Sequence, residues 1–300
     1  MIGTSLNPRN ENLREVIKSY YLLTKPRIIP LLLITTAASM FIASGGDIDP
    51  FLLIVTLLGG TLAAASAQTF NCIYDQDIDY EMKRTRKRPI PSGKVHPTHA
   101  LIFGILLGIS SFTLLALWVN MLSALLALSG IVFYMLIYTH WLKRHTSQNI
   151  VIGGAAGAIP PLVGWAAVTG DLSWSAWAIF TLIFLWTPPH FWALALMISD
   201  DYAEVNVPML PVVEGAIPTV KQIWVYTIIT VVFSFVLIYP LQTSGLVYLI
   251  SAIALGAFFI AKAWELQQKP EDKDRAKSMF KYSILYMMLL CTGMVIDSLV

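Results

Sequence analysis

The sequence has little charge and almost no cysteine. Only 13% of its 300 residues are Asp, Glu, Lys or Arg, against 56% hydrophobic ones, and the formal net charge is +2. With a mean hydropathy of +0.67, that balance excludes an ordinary soluble globular domain. So small a net charge gives no reason to expect a nucleic-acid partner. The two cysteines, Cys72 and Cys291, lie in or at the end of apolar runs and read as packing residues. They offer neither a disulfide framework nor zinc spacing. The first 27 residues lack an apolar core and an A-x-A cleavage site, and carry Glu11 and Glu15. A removable signal peptide is therefore not expected, and the first span serves as the insertion signal.

Long apolar runs are what the chain has in abundance. A membrane-spanning helix needs about 20 apolar residues, somewhat fewer at the short end. Nine runs qualify: 28–45, 51–71, 99–118, 121–139, 150–168, 173–197, 223–241, 244–263 and 281–299. The expected class is an all-α polytopic membrane protein of about nine transmembrane helices. It forms one domain over 1–300, with 1–27 as a cytoplasmic N-terminal segment. A short turn at Asn120 joins the third and fourth spans. The Pro160-Pro161 pair should kink or interrupt the fifth, and Gly153, Gly154, Gly157 and Ala158 should let it pack closely.

Orientation follows from where cations fall. All 20 Lys and Arg lie in the N-terminal segment or after spans 2, 4, 6 and 8, while the opposite loops hold Asp47, Asp49 and Asp171. The positive-inside rule then places the N-terminus in the cytoplasm and the C-terminus outside, in a bacterial-type inner membrane. The long polar loops share the cytoplasmic face. A transporter usually keeps its polar residues near the midplane, so a site opening to that face is the better expectation.

One such loop, NCIYDQDIDYEMKRTRKRPIPSG from Asn71 to Gly93, concentrates the chemistry. Asn71, Asp75 and Asp79 are four apart, so on a helix they form a ladder rising about 6 Å per step. An amide and two carboxylates on one face suit Mg²⁺, which takes one or two carboxylates and completes its shell with water and phosphate oxygens. Asp77 and Glu81 point elsewhere. Behind the ladder come Lys83, Arg84, Arg86, Lys87 and Arg88, natural phosphate partners. Topology and anionic headgroups alone would also demand positive charge here; Arg84 and Arg88 are the preferred contacts. Lys143 and Arg144 form a second cationic pair on the same face.

A second acidic turn, Ser199–Asn206, follows span 6. It offers Asp200, Asp201 and Glu204 as candidate ligands of a second metal shell, with Asp201, beside Tyr202, preferred. Spans 2 and 6 thus end alike, a weak echo suggesting two four-helix units. Four of the five histidines fall in loops or helix starts. His190 lies inside a span after Thr187-Pro188-Pro189, which makes it a functional candidate: to ligate iron, donate a proton, or satisfy a carbonyl freed by the prolines. Trp165, Trp174, Trp177, Trp186, Phe191 and Trp192 divide between an interfacial belt and a channel lining, and sequence alone does not sort them.

These motifs resemble the UbiA-type intramembrane prenyltransferases, in the branch of that family that acts on heme. The Asn71–Gly93 stretch is similar to the family's first aspartate-rich motif. YTHWLKRHTSQNIVIGGAAGAIPPLVGW, TPPHFWALAL and DDYAEVNVPMLPVV look like that branch's signatures, so the likeness runs from about Tyr21 to Pro211. The resemblance implies nine helices around a central cavity open to the cytoplasmic face and the lipid. It implies transfer of a farnesyl group from farnesyl diphosphate to a vinyl group of protoheme IX, with Mg²⁺ as cofactor. On the matching positions, Asn71, Asp75 and Asp79 would hold Mg²⁺ and diphosphate, and Asp201 would belong to the second acidic site. Arg84, Arg88, Lys143 and Arg144 would contact phosphate, and His190 is the candidate for positioning heme. The turn SDDYAE departs from the DxxxD-like second motif of other branches, leaving the second ligand set among Asp200, Asp201 and Glu204 open. Two rivals remain at this point: a prenyltransferase for an aromatic or quinone precursor, and a heme or lipid transporter gated by the acidic turns. Direct contact with a downstream heme-modifying enzyme is also left open.

Overall fold

The computed structural model describes residues 13–300. Arg9 and Glu11, used above for topology and targeting, lie outside them. The described chain runs α1 (Leu13–Leu23), α2 (Ile29–Ala43), α3 (Pro50–Tyr74), α4 (Gln76–Glu81), α5 (Pro97–Trp118) and α6 (Met121–Val132). A π-helical segment, Phe133–Leu142, then leads into α7 (Lys143–His145). There follow α8 (Asn149–Thr169), α9 (Trp174–Met197), α10 (Ser199–Glu204), α11 (Leu210–Val213) and α12 (Ala216–Ser234) with a 3₁₀ extension. Finally come α13 (Leu246–Gln268) and α14 (Lys273–Ser298). Among the described residues, eight helices are long and apolar enough to cross a membrane, counting Met121–His145 as one, and α2 is a shorter apolar ninth. The all-α expectation of about nine helices holds.

The turns between spans follow their local chemistry. Asp49 caps α3 by accepting the Phe51 N–H at 2.9 Å, with Pro50 at the first helical position where a missing N–H costs nothing. Asn120 is the N-cap of α6: its Oδ1 accepts the Ser123 N–H at 2.8 Å. Its amide nitrogen donates 2.7 Å to the Ala166 carbonyl of α8. A residue expected only as a turn therefore also ties two hairpins together.

The Pro160-Pro161 pair does not interrupt α8, which runs through both prolines. The Pro161 carbonyl accepts the Ser39 hydroxyl of α2 at 2.7 Å. This contact ties α2 to α8 at the proline pair. Close approach to neighbours is the larger reason. A Cβ on Gly153 would lie 2.2 Å from the Tyr138 ring, and one on Gly164 would lie 2.4 Å from the Thr36 carbonyl. Gly157, grouped with them by sequence, faces open space. Accordingly α8 and α9 are the most buried spans. By contrast α5 turns Ile102, Leu106 and Ile109 outward, each more than half exposed. Large apolar residues exposed along a helix at this density fit a lipid environment, not water.

The structure also sorts the aromatics. Trp165, Trp186 and Trp192 are buried, whereas Trp174 is 81% exposed and Trp177 and Phe191 are also exposed. Cys72 and Cys291 are free and buried, as packing residues should be. In α1, Leu13, Ile17 and Tyr21 recur every fourth residue and all stand exposed. That apolar stripe suits a helix lying in a bilayer interface, a feature hidden in the polar composition of the first 27 residues.

Candidate functional site

The ladder forms, and it is buried. Asn71 lies in the last turn of α3; the α-helix breaks at Asp75, whose φ of −86° and ψ of 9° mark a cap, and restarts as α4. Register survives the break because the Asp75 N–H donates to the Asn71 carbonyl at 2.9 Å and the Asp79 N–H to the Asp75 carbonyl at 2.8 Å. Asn71, Asp75 and Asp79 are 3%, 1% and 3% exposed. Carboxylates so deeply withdrawn from water must be matched by cations or hydrogen-bond donors.

Each rung has its partners. The Asn71 amide nitrogen donates to Asp75 Oδ2 at 2.9 Å and to the Thr139 hydroxyl at 3.2 Å, while its oxygen accepts the Lys25 ammonium at 2.5 Å. The Lys143 ammonium bonds Asp75 Oδ2. Arg88 Nη1 reaches both oxygens of Asp79, at 2.8 and 2.7 Å. Arg144 grips Asp77 with two parallel bonds of 2.7 and 2.8 Å and stacks over the Tyr74 ring at 4.8 Å. Its hydrogen bonds hold the Asp77 carboxyl below the usual carboxylate range. Burial pushes the Lys25 ammonium down, with the nearby Asp75 charge acting against that shift.

Three polar atoms here are buried without a hydrogen-bond partner: Asp75 Oδ1, Arg144 Nε and Asn149 Oδ1. Asp75 Oδ1 lies 3.8 Å from the Arg144 guanidinium, an ion-pair distance too long for a hydrogen bond. Unsatisfied buried polar atoms are rare and expensive. Five more lie elsewhere, on Trp165, Trp192, Ser244, Gln267 and Tyr286, so it is the pairing of Asp75 Oδ1 with Arg144 Nε beside the ladder that distinguishes this place.

The basic run divides. Lys83, Arg84, Arg86 and Lys87 are exposed, and Arg88 alone turns inward to the ladder. Arg84 instead bridges to the second acidic turn, its Nε 3.3 Å from Asp201. That turn, α10, is not drawn together as a ligand set. Asp200 pairs with Lys273 at 2.8 Å in open solvent, a pairing that lowers its pKa, and Glu204 is exposed. Tyr202 packs against the core near Val205, and burial raises its hydroxyl pKa. Among the described residues no group of three or more His, Cys, Asp or Glu side chains is arranged to hold a metal. The first motif offers two carboxylates and an amide instead, a donor set sufficient for Mg²⁺ when phosphate and water complete its shell.

The sequence missed two residues that touch the ladder. Thr139 is carried to Asn71 by the π-helical segment, which also delivers Lys143 and Arg144. Lys25 precedes Pro26 at the entry to α2, in a left-handed conformation with φ of 47°. Its only sequence signal was that of a cation before a span, which the topology count had already absorbed.

His190 stands apart from this cluster, further along α9 into the bundle. It is 7% exposed, stacked between Trp186 (centroids 4.4 Å) and Phe280 (4.7 Å), with Nδ1 2.7 Å from the Ser283 hydroxyl.

Comparison with known proteins bears on all of this. Residues 32–285 match the model of the UbiA prenyltransferase family. The chain is 74% identical over 299 residues to the protoheme IX farnesyltransferase of Gloeothece citriformis, covering 100% of this chain and 93% of the relative. It is 75% identical over 299 residues to that of Picosynechococcus sp., covering 100% and 94%. In fold it is similar to a solved digeranylgeranylglyceryl phosphate synthase, with a TM-score of 0.77 at 21% identity over 95% of this chain and 99% of that one. It is also similar to a UbiA homolog from Archaeoglobus fulgidus bound to GPP and Mg²⁺, with a TM-score of 0.67 at 15% identity over 92% and 99%.

Proposed function

The chain belongs to the UbiA prenyltransferase family, and from that premise we propose that it transfers a farnesyl group from farnesyl diphosphate to a vinyl group of protoheme IX, making heme O. The observation that carries the acceptor is the 74–75% identity, across the whole chain, to relatives named protoheme IX farnesyltransferase. The chemistry of the site agrees with the donor. A buried amide–carboxylate ladder faced by Lys25, Arg88, Lys143 and Arg144 suits a metal-held diphosphate.

In this mechanism Asn71, Asp75 and Asp79 would hold Mg²⁺, and Asp75 Oδ1 has no hydrogen-bond partner to give up for it. Bound Mg²⁺ supplies Lewis-acid polarisation of the leaving diphosphate. Lys25, Arg88, Lys143 and Arg144 take the phosphate oxygens, with Arg84 reaching them from the edge. The buried Asp75 and Asp79 are already matched by Lys143 and Arg88, so binding exchanges these partners for Mg²⁺ and diphosphate, whose own charges offset one another. The cations neutralise the charge that builds on the diphosphate as the allylic C–O bond breaks and its electron pair departs. The vinyl carbon then attacks the allylic cation, and water captures the new cation beside the porphyrin and loses a proton to solvent, leaving the hydroxyl. Exclusion of water from the buried ladder protects the first cation. The second acidic turn contributes through Asp201 and Tyr202, with Asp200 and Glu204 outside it, and His190 positions heme. The site faces the cytoplasm, with the N-terminus on the same side and the C-terminus across the membrane.

Membranes containing the chain, given farnesyl diphosphate and protoheme, should form heme O only with Mg²⁺ present, and Asp75→Asn should abolish it. Prenylation of 4-hydroxybenzoate in place of protoheme would overturn the acceptor. Movement of heme across the membrane without diphosphate release would overturn the reaction class.

A further inference from the structure

His190 and Ser283 together contain one ambiguity, and hydrogen-bond counting resolves it. The Ser283 hydroxyl has a single proton and two neighbours: the Phe280 carbonyl at 2.7 Å and His190 Nδ1 at 2.7 Å. A carbonyl oxygen can only accept, so at that distance the hydroxyl proton lies between Ser283 and Phe280. The Ser283 oxygen is then an acceptor toward the imidazole, and Nδ1 must carry the proton. Neutral His190 is thereby held as the Nδ1–H tautomer, with a lone pair on Nε2.

The rest of the ring is fixed as firmly. Trp186, one turn earlier on α9, covers one face at an interplanar angle of 16°, and Phe280 covers the other at 22°. The Trp186 indole N–H donates to the Ser283 carbonyl at 2.9 Å, so Ser283 ties down both the imidazole and its stacking partner. Both faces and the Nδ1 edge are occupied, and the Phe191 ring adds a T-shaped contact at 4.9 Å. Nε2 makes no hydrogen bond among the described residues, so it is the ring nitrogen left to meet a ligand. A histidine locked in orientation and tautomer by a hydrogen bond at its other nitrogen is how proteins present imidazole to a metal.

We infer that Ser283 is a positioning residue that holds His190 Nε2 ready to ligate the iron of the porphyrin substrate, with Trp186 and Phe280 fixing the plane of the ring. This rests on the reading of the chain as a protoheme farnesyltransferase. Ligation there would anchor the macrocycle by its centre while a vinyl group at its rim reacts, leaving the diphosphate ladder free of heme.

The test is a titration of the purified full chain with ferrous protoheme, followed by its absorption spectrum, with heme O formation measured alongside. The wild type should show a nitrogen-ligated spectrum that His190→Gly loses and added imidazole restores. Ser283→Ala should weaken protoheme binding by roughly 10- to 100-fold while leaving the KM for farnesyl diphosphate unchanged, and Ser283→Thr should recover most of it. If the spectrum does not depend on His190, or Ser283→Ala binds protoheme like the wild type, the inference falls. Should Ser283→Ala fail to fold, the His190→Gly and imidazole pair decides the ligation by itself. A wild type that binds protoheme through His190 but never farnesylates it would overturn the proposed reaction and leave the ligation standing.

Discussion

The two acidic turns look alike in sequence and differ in almost every physical respect. Each follows a long apolar helix and carries carboxylates four residues apart. Yet Asp75 and Asp79 are nearly inaccessible and are gripped by Lys143 and Arg88, while Asp200 stands in solvent against Lys273 and Asp201 shares a half-exposed bridge with Arg84. Burial makes the difference. A desolvated carboxylate interacts far more strongly with its cation than an exposed one, and loses far more when left alone. Spacing of acids along a helix therefore identifies a ligand set only once it is known which face is covered.

Substitutions can break or sharpen that contrast. Asp75→Asn should have the largest effect, lowering Mg²⁺-dependent heme O formation by roughly 10³-fold, the scale of losing a central electrostatic group. It also leaves Lys143 buried without its counter-charge, so thermal unfolding of the purified chain should shift downward. Arg88→Lys should come next, raising the KM for farnesyl diphosphate by about 10-fold or more, because an ammonium offers phosphate a point charge in place of the planar guanidinium fork. Lys25→Met should raise the same KM by a smaller factor, about 5-fold, through loss of one point charge and of the bond to Asn71. Asp201→Asn should cost only a few-fold in turnover, since the Arg84 bridge is 46% and 29% exposed and worth less than about 1 kcal/mol. Asp200→Asn should change turnover by less than about twofold, as exposed pairs contribute little. Activity of Asp201→Asn as low as that of Asp75→Asn would erase the contrast and make the second turn an equal partner once substrate is bound.

Much of this site was legible because its signals were local. The i,i+4 spacing of Asn71, Asp75 and Asp79 survives the break at Asp75, since the backbone hydrogen bonds continue across it. The spans were legible because hydropathy needs only a window of neighbouring residues. What the sequence hid depends on distant packing. Nothing near Arg88 distinguishes it from Arg84, Arg86 or Lys87; only the fold of the loop turns it inward. Lys25 meets Asn71 across 46 residues. The shortness of α2, the stripe on α1 and the uninterrupted α8 were likewise matters of how elements meet, not of composition.

The π-helical segment Phe133–Leu142 has a further consequence. It sits within a helix that is α-helical before and after it, so the cationic end of the span owes its bearing to the number of residues in between. Removing one residue there would change both the pitch of the segment and the angle at which the residues beyond it leave the helix axis. Lys143 and Arg144 would then swing away from the ladder with every side chain still present. For this stretch chain length matters more than side-chain identity: it should accept conservative exchanges of its outward residues and reject any single-residue deletion.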